Sequence, residues 1–149
     1  MDLTSPNFEE GDPIPRVHTC DGEDTPPELH WSGVPSGVVE LALTCEDPDA
    51  PGGTFVHWVA WGIDPSSGRI GADDSSGIRQ GRNGFGNNGF GGPCPPKKDS
   101  AHHYHFRVYA LDTASLGQPG LSKQDALEAM EGHILDEGEL TGTYKRATA

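Results

Sequence analysis

Apolar positions come in short runs along this chain, and three of the runs have the periodicity of strands. Over residues 38–46, Val39, Leu41, Leu43 and Cys45 alternate with Glu40, Thr44 and Glu46. A period of two puts successive side chains on opposite faces, so this segment reads as a half-buried strand. Residues 57–63 (HWVAWGI) are almost continuously apolar, as in a central strand. In residues 102–111, His102, Tyr104, Phe106, Val108 and Ala110 share one face, and His103, His105, Arg107, Tyr109 and Leu111 share the other. Shorter strands are predicted near residues 16–20, 29–31 and 78–81.

One helix is predicted. Ser122 can cap it, with Asp125 three residues on, and Ala126, Leu127, Ala129 and Met130 follow. Gly132 is placed to end it in a left-handed conformation. Residues 133–144 then return to turn and strand character. The chain carries 21 glycines and 13 prolines as punctuation, with no internal repeat or linker, and its 149 residues suit one domain (1–149). Many short strands and one late helix predict a β-dominated antiparallel sandwich.

Composition alone points elsewhere. Leu, Ile, Val and Phe together make up under a fifth of the chain, and the net charge is −13, a pairing typical of disorder. The periodic clustering of the apolar residues overrides that reading. The 23 acidic residues are dispersed rather than blocked, against only 10 Lys and Arg. Such a surface suits a protein kept soluble in high salt, where self-repulsion is screened, or simply an acidic protein. In either case it repels nucleic acid and anionic membrane, which select basic patches. The start, Met-Asp-Leu-Thr-Ser-Pro, has neither the basic region nor the apolar core of a signal peptide, and no apolar stretch approaches the length of a membrane span. Cys20, Cys45 and Cys94 form an odd set without CxxC spacing. The reading is three reduced, buried cysteines in a cytoplasmic protein.

Four segments could carry chemistry. DPDAP (residues 47–51) follows the first strong strand, and its prolines stiffen a turn that holds Asp47 and Asp49 in place; on its own it could be no more than a rigid acidic turn. His57 opens the second strand beside Trp58, and a lone histidine at a strand edge is usually structural. The loop at residues 81–92 (GRNGFGNNGFGG) could converge backbone N–H groups on an anion, although it matches neither the P-loop nor the dinucleotide fingerprint. His102, His103, Tyr104 and His105 enter the third strand. The His103/His105 pair has metal-ligand spacing, but histidines on an outer strand face are more often merely solvated.

Order and spacing join these segments. The chain resembles the bacterial and archaeal branch of the phosphatidylethanolamine-binding (Raf kinase inhibitor-like) family. The likeness runs from Cys20-Asp21-Gly22 through PPELHWSGVP (26–35), DPDAP, FVHW (55–58), GFGGPCPP (89–96) and His102-His103-Tyr104 to AMEGHIL (129–135) and LTGTY (140–144). It implies a Greek-key β-sandwich with an anion pocket at one end. Carried over by position, that pocket would hold Asp47, Asp49, His57, His102 and Tyr104, walled by Pro95 and the Gly92 backbone. It also implies a cis bond at Ala50–Pro51. Two departures fall on the rim: His103 stands where the family usually has Arg, and Lys97-Lys98-Asp99 where a Gly usually follows the double proline. The sequence ends soon after the last predicted strand, where eukaryotic relatives continue into a helix, so a more open pocket is expected.

The function expected is a binding protein for a phosphate-like anion or phosphorylated headgroup, with no cofactor and no metal, that modulates a partner protein. Protonated imidazole and phenol both donate to phosphate oxygens, and a neighbouring carboxylate favours the charged imidazole. The alternatives are a small hydrolase using the same groups for acid–base work and an inhibitory interaction protein with a vestigial pocket. No nucleophile beside a base is visible; Ser75 and Ser76 fall in a polar loop, and Cys94 lies between prolines. Nucleic acid and stable membrane association are excluded as partners, and a homodimer is left open.

Overall fold

The computed structural model describes residues 1–71, 78–114, 116–117 and 119–146; Ser75 and Ser76 lie outside them. Eight strands and one helix are present among these residues: β1 (Asp2–Thr4), β2 (Leu29–Ser32), β3 (Glu40–Asp47), β4 (Phe55–Ile63), β5 (Arg69–Ile70), β6 (Arg79–Gln80), β7 (His102–Leu111), α1 (Lys123–Met130) and β8 (Ile134–Tyr144). They form a small sheet of order β1-β2-β5 and a larger one of order β6-β4-β3-β7-β8. All the strand pairs are antiparallel. After the β3–β4 hairpin the chain crosses back so that β7 pairs with β3 rather than β4, the non-sequential step of a Greek key. The β-dominated sandwich with one late helix is the fold class that the alternating runs predict.

The alternation of β7 sorts its two faces. Tyr104, Phe106, Val108 and Ala110 enter the core between the sheets, where Leu3, Leu29, Trp31 and Ile70 oppose them. Tyr109 and Leu111 face the other way and are covered by Ala126 and Met130 of α1. That helix cover revises the reading of β3. Leu41, Leu43 and Cys45 do face the core, but Ala42 and Thr44 on the opposite face are buried as well, and Val39, which precedes the strand, is 54% exposed. A half-buried strand was expected; β3 is central and covered on both sides. The helix forms as its signals predict, with the Ser122 side chain accepting from the Asp125 N–H and Gly132 at φ +83° just beyond it.

Two local expectations do not hold. Residues 16–20 are not a strand, since Arg16–His18 is a turn of 3-10 helix. The backbone folds back so tightly there that a Cβ on Gly22 would lie 2.4 Å from the Arg16 carbonyl oxygen. The cysteines are not all reduced either. Cys20 and Cys94 form a disulfide across 74 residues of sequence, with Cα atoms 5.4 Å apart, and only Cys45 is free and buried. A pairing at that separation leaves no spacing signature in the sequence. It also removes the reduced-thiol ground for a cytoplasmic setting. Among the described residues no helix is long and apolar enough to cross a membrane.

Candidate functional site

The site begins where β3 ends. Asp47 is the last residue of β3 and is buried, and both its carboxylate oxygens are engaged. Oδ1 accepts the Asp49 N–H at 2.8 Å, and Oδ2 lies 2.7 Å from His102 Nδ1. This Asx-type turn, together with the Gly53 N–H donated to the Ala50 carbonyl and Gly53 at φ +107°, reverses the chain. The expected cis bond at Ala50–Pro51 is absent; among the described residues all peptide bonds are trans. The turn needs no cis bond because the aspartate and the glycine supply the reversal.

His102 opens β7 and is clamped on both sides. Its Nδ1 faces Asp47, and its Nε2 lies 2.9 Å from Asp99 Oδ2. Two carboxylates can be satisfied only if both ring nitrogens carry protons. Burial opposes that charge, but the bonds to Asp47 and then Asp99 outweigh it and raise the pKa of His102. His57 behaves in the opposite way. It is 3% exposed, inside β4 rather than at a loose edge, and its Nδ1 is 2.7 Å from the Gly91 carbonyl. A carbonyl can only accept, so Nδ1 carries the proton and Nε2 presents a lone pair. Burial lowers its pKa despite the Gly91 bond and the nearby Asp47 charge, so His57 is neutral near pH 7.

Tyr104, two residues beyond His102 on the same face, stacks edge-on to His57 with ring centroids 5.2 Å apart. Its hydroxyl is buried and has no hydrogen-bond partner. Burial, followed by the Asp47 charge, raises its pKa, so the phenol stays protonated and remains a donor.

These groups border one cavity of about 250 Å³, which brings together Asp47, His57, Pro95, His102 and Tyr104. Two of the residues predicted for it lie elsewhere. Asp49 turns outward and accepts both the N–H and Nδ1 of His103, each at 2.8 Å. Gly92 is buried behind the wall with its N–H given to Asp24, and a Cβ there would lie 2.3 Å from the Asp24 carboxylate. The glycine loop is not an anion nest. Asn83 Oδ1 takes the N–H groups of Phe85 and Asn87, Val56 takes that of Gly84, and His57 takes that of Gly91. His103 and His105 pair with separate carboxylates, Asp49 and Glu139. Among the described residues no group of three or more His, Cys, Asp or Glu side chains is placed to hold a metal ion.

The sequence reading missed the apolar part of the site. Phe55 and Phe85 line the cavity with centroids 4.8 Å apart, both against His57. The glycines make this possible. A Cβ on Gly84 would lie 2.6 Å from the Phe55 ring, and one on Gly91 would lie 2.4 Å from the Phe85 ring. A phenylalanine set among so many glycines was the available signal. Cys94 and Pro96 also line the mouth, so the disulfide sits at the rim.

Comparison with known proteins agrees with this fold. Residues 4–145 match the family described as phosphatidylethanolamine-binding protein. A UPF0098 protein of Aquifex aeolicus is 46% identical over 98% of this chain and 89% of its own length. A lipoprotein, LppC, of Mycobacterium tuberculosis is 40% identical over 97% of this chain and 72% of its own length. Among solved structures, a phosphatidylethanolamine-binding protein homologue from Chlamydia trachomatis superposes with TM-score 0.89 at 38% identity, covering 97% of each chain. YbcL of Escherichia coli, described as a member of the mammalian family, also superposes with TM-score 0.89, at 34% identity over 97% of this chain and 98% of its own. With the fold and a match over nearly the whole length in agreement, the chain belongs to the phosphatidylethanolamine-binding protein family.

Proposed function

We propose that the cavity binds the oxyanion end of a small phosphorylated ligand, with the organic remainder against Phe55, Phe85 and the prolines. The observation that carries this reading is the Tyr104 hydroxyl, a protonated donor with no partner, beside the His57 ring. An unsatisfied buried hydroxyl costs about 1–3 kcal/mol, and a ligand oxygen removes that penalty. Because His57 Nε2 is a lone pair near neutral pH, the best match is an anion that still carries a proton, such as a phosphate monoanion. One of its oxygens accepts from Tyr104 while its P–OH donates to His57. No Lys or Arg lines the cavity, so affinity is modest. Modulation of a partner protein is the companion proposal, with ligand occupancy as its signal.

The hydrolytic alternative has less to stand on. Cys94 is spent in the disulfide, and no Ser or Thr lines the cavity. The setting we propose is any compartment that tolerates an exposed disulfide; the lipoprotein name of the mycobacterial relative fits one outside the reducing cytoplasm.

The test is Tyr104→Phe, titrated calorimetrically with inorganic phosphate at pH 6. The variant keeps the ring and removes only the unpartnered hydroxyl, so we expect about tenfold weaker binding, the value of one hydrogen bond to a charged group, with thermal stability equal to or above that of the wild type. Equal phosphate affinity in the folded variant would overturn the proposal.

A further inference from the structure

The clamp on His102 deepens this reading and rests on it. His102 forms the wall between the cavity and an adjoining open cleft of about 480 Å³, lined by Asp49, Lys98, Asp99, Ser100 and His103. Asp47 and Asp99 hold its two nitrogens very differently. Asp47 is buried and fixed by the turn that ends β3, whereas the Asp99 side chain is 29% exposed and sits at the end of a surface turn. The Asp99 backbone is tied down, its N–H to the Pro96 carbonyl and its own carbonyl to Lys145 Nζ at 2.6 Å. Its carboxylate can therefore leave His102 by side-chain rotation alone. A carboxylate on the Nε2–H of a protonated imidazole is chemically what a ligand oxyanion would be.

We infer that Asp99 is an internal stand-in for the ligand: its carboxylate occupies the His102 Nε2 donor, and an incoming phosphate-type anion must displace it to gain that donor. Displacement costs the anion one charge-assisted bond before it gains another. It also leaves an expelled carboxylate nearby that repels the newcomer. Inorganic phosphate meets this barrier as soon as it takes the His102 donor. Larger phosphate esters that reach past His102 into the cleft meet it too, and on arrival find the Lys98 ammonium. Asp99 thus holds back the protonated His102 imidazole, the cavity's own cation.

The experiment compares the wild type, Asp99→Asn and Asp99→Ala by calorimetric titration with inorganic phosphate at pH 6, with His102 followed by ¹⁵N NMR. Freeing the Nε2–H should tighten phosphate binding by about tenfold in Asp99→Ala, the equivalent of one charge-assisted hydrogen bond, and by less in Asp99→Asn, whose amide oxygen still accepts from Nε2–H. The gain should vanish when His102→Gln is added. In the wild type, saturating phosphate should shift the His102 Nε2 resonance as Asp99 is exchanged for the ligand. Variants that bind phosphate no better than a wild type that does bind, with an unmoved His102 resonance, would overturn the inference and leave the Tyr104 reading standing. Absence of binding by all three proteins would overturn that reading and this inference with it.

Discussion

His102 and His57 line the same cavity and have pKa values shifted in opposite directions, which gives the stability of the protein a measurable pH signature. The folded pKa of His102 is raised, so its contribution is fully present below the unfolded value near 6.5 and is lost as pH rises through the higher folded value. That of His57 is lowered, so its contribution is present above about 6.5 and is lost as pH falls through the folded value. The two can be separated by difference. His102→Gln leaves Asp47 buried without its partner and should cost about 3 kcal/mol at pH 6, in the range for breaking a buried ion pair. The gap to the wild type should narrow as pH rises to 9, because a neutral imidazole satisfies only one of its two carboxylates. Urea unfolding of both proteins at pH 6, 7, 8 and 9 measures this, and a gap that stays constant or widens toward alkaline pH contradicts the clamp. The identities of these residues were readable from their order along the chain, but their roles were not. His102 looks in the sequence like a donor to a ligand, and only the position of Asp99 on a turn three residues upstream shows that both its nitrogens are taken. Asp49 looks equivalent to Asp47. The Asx turn between them sends one carboxylate inward and the other out to His103, a choice set by turn geometry rather than residue type.

Among the elements, strands β3, β4 and β7 and the helix were legible because burial imposes a period on them, and β7 runs over residues 102–111 as its alternation predicts. What periodicity cannot report is what lies on the far side. The second buried face of β3 depends on α1, some 80 residues later in the chain. The two-residue strands β5 and β6 owe their existence to partners rather than to their own sequence. The same limit hid the disulfide, which joins the turn after Arg16–His18 to the cavity rim at Cys94. That link braces a wall otherwise held from this side by the Cys20 N–H on the Pro93 carbonyl and the Gly92 N–H on Asp24. Because the bond closes a loop of 74 residues, chain entropy assigns it about 4 kcal/mol. Both cysteines are exposed, so a thiol reductant reaches them. Cys20→Ser/Cys94→Ser should therefore unfold at lower urea than the oxidised wild type, and reduced wild type should match the mutant. Identical midpoints for all three would mean that the two cysteines are not bridged in solution.

At the scale of the whole molecule the dominant quantity is charge. A net −13 on 149 residues is carried by a surface on which four of the ten Lys and Arg side chains are seen paired with carboxylates. Lys123 pairs with Glu46, Arg107 with Glu139, Arg69 with Glu28 and Arg146 with Asp21. Added salt acts on two opposed contributions. It weakens these pairs, but each exposed one is worth at most about 1 kcal/mol. It also screens the repulsion among the surplus carboxylates, whose reach shrinks from about 10 Å at 0.1 M to about 3 Å at 1 M. The repulsive pairs far outnumber the attractive ones and act over longer distances, so their screening wins. The melting temperature should rise by about 5 °C or more between 0.1 and 2 M KCl, the equivalent of 1–2 kcal/mol for a domain of this size. Potassium chloride is the salt to use, because sulfate would add a general stabilising effect by exclusion from the surface. The melt is best followed by the near-ultraviolet signal of Trp58 and Trp61, both fully buried in the five-stranded sheet. A midpoint that rises with KCl fits a chain whose carboxylates are an adaptation to concentrated salt. A flat or falling midpoint would mean that the acidic surface serves another purpose, with repulsion of anionic membranes and nucleic acids the first to test.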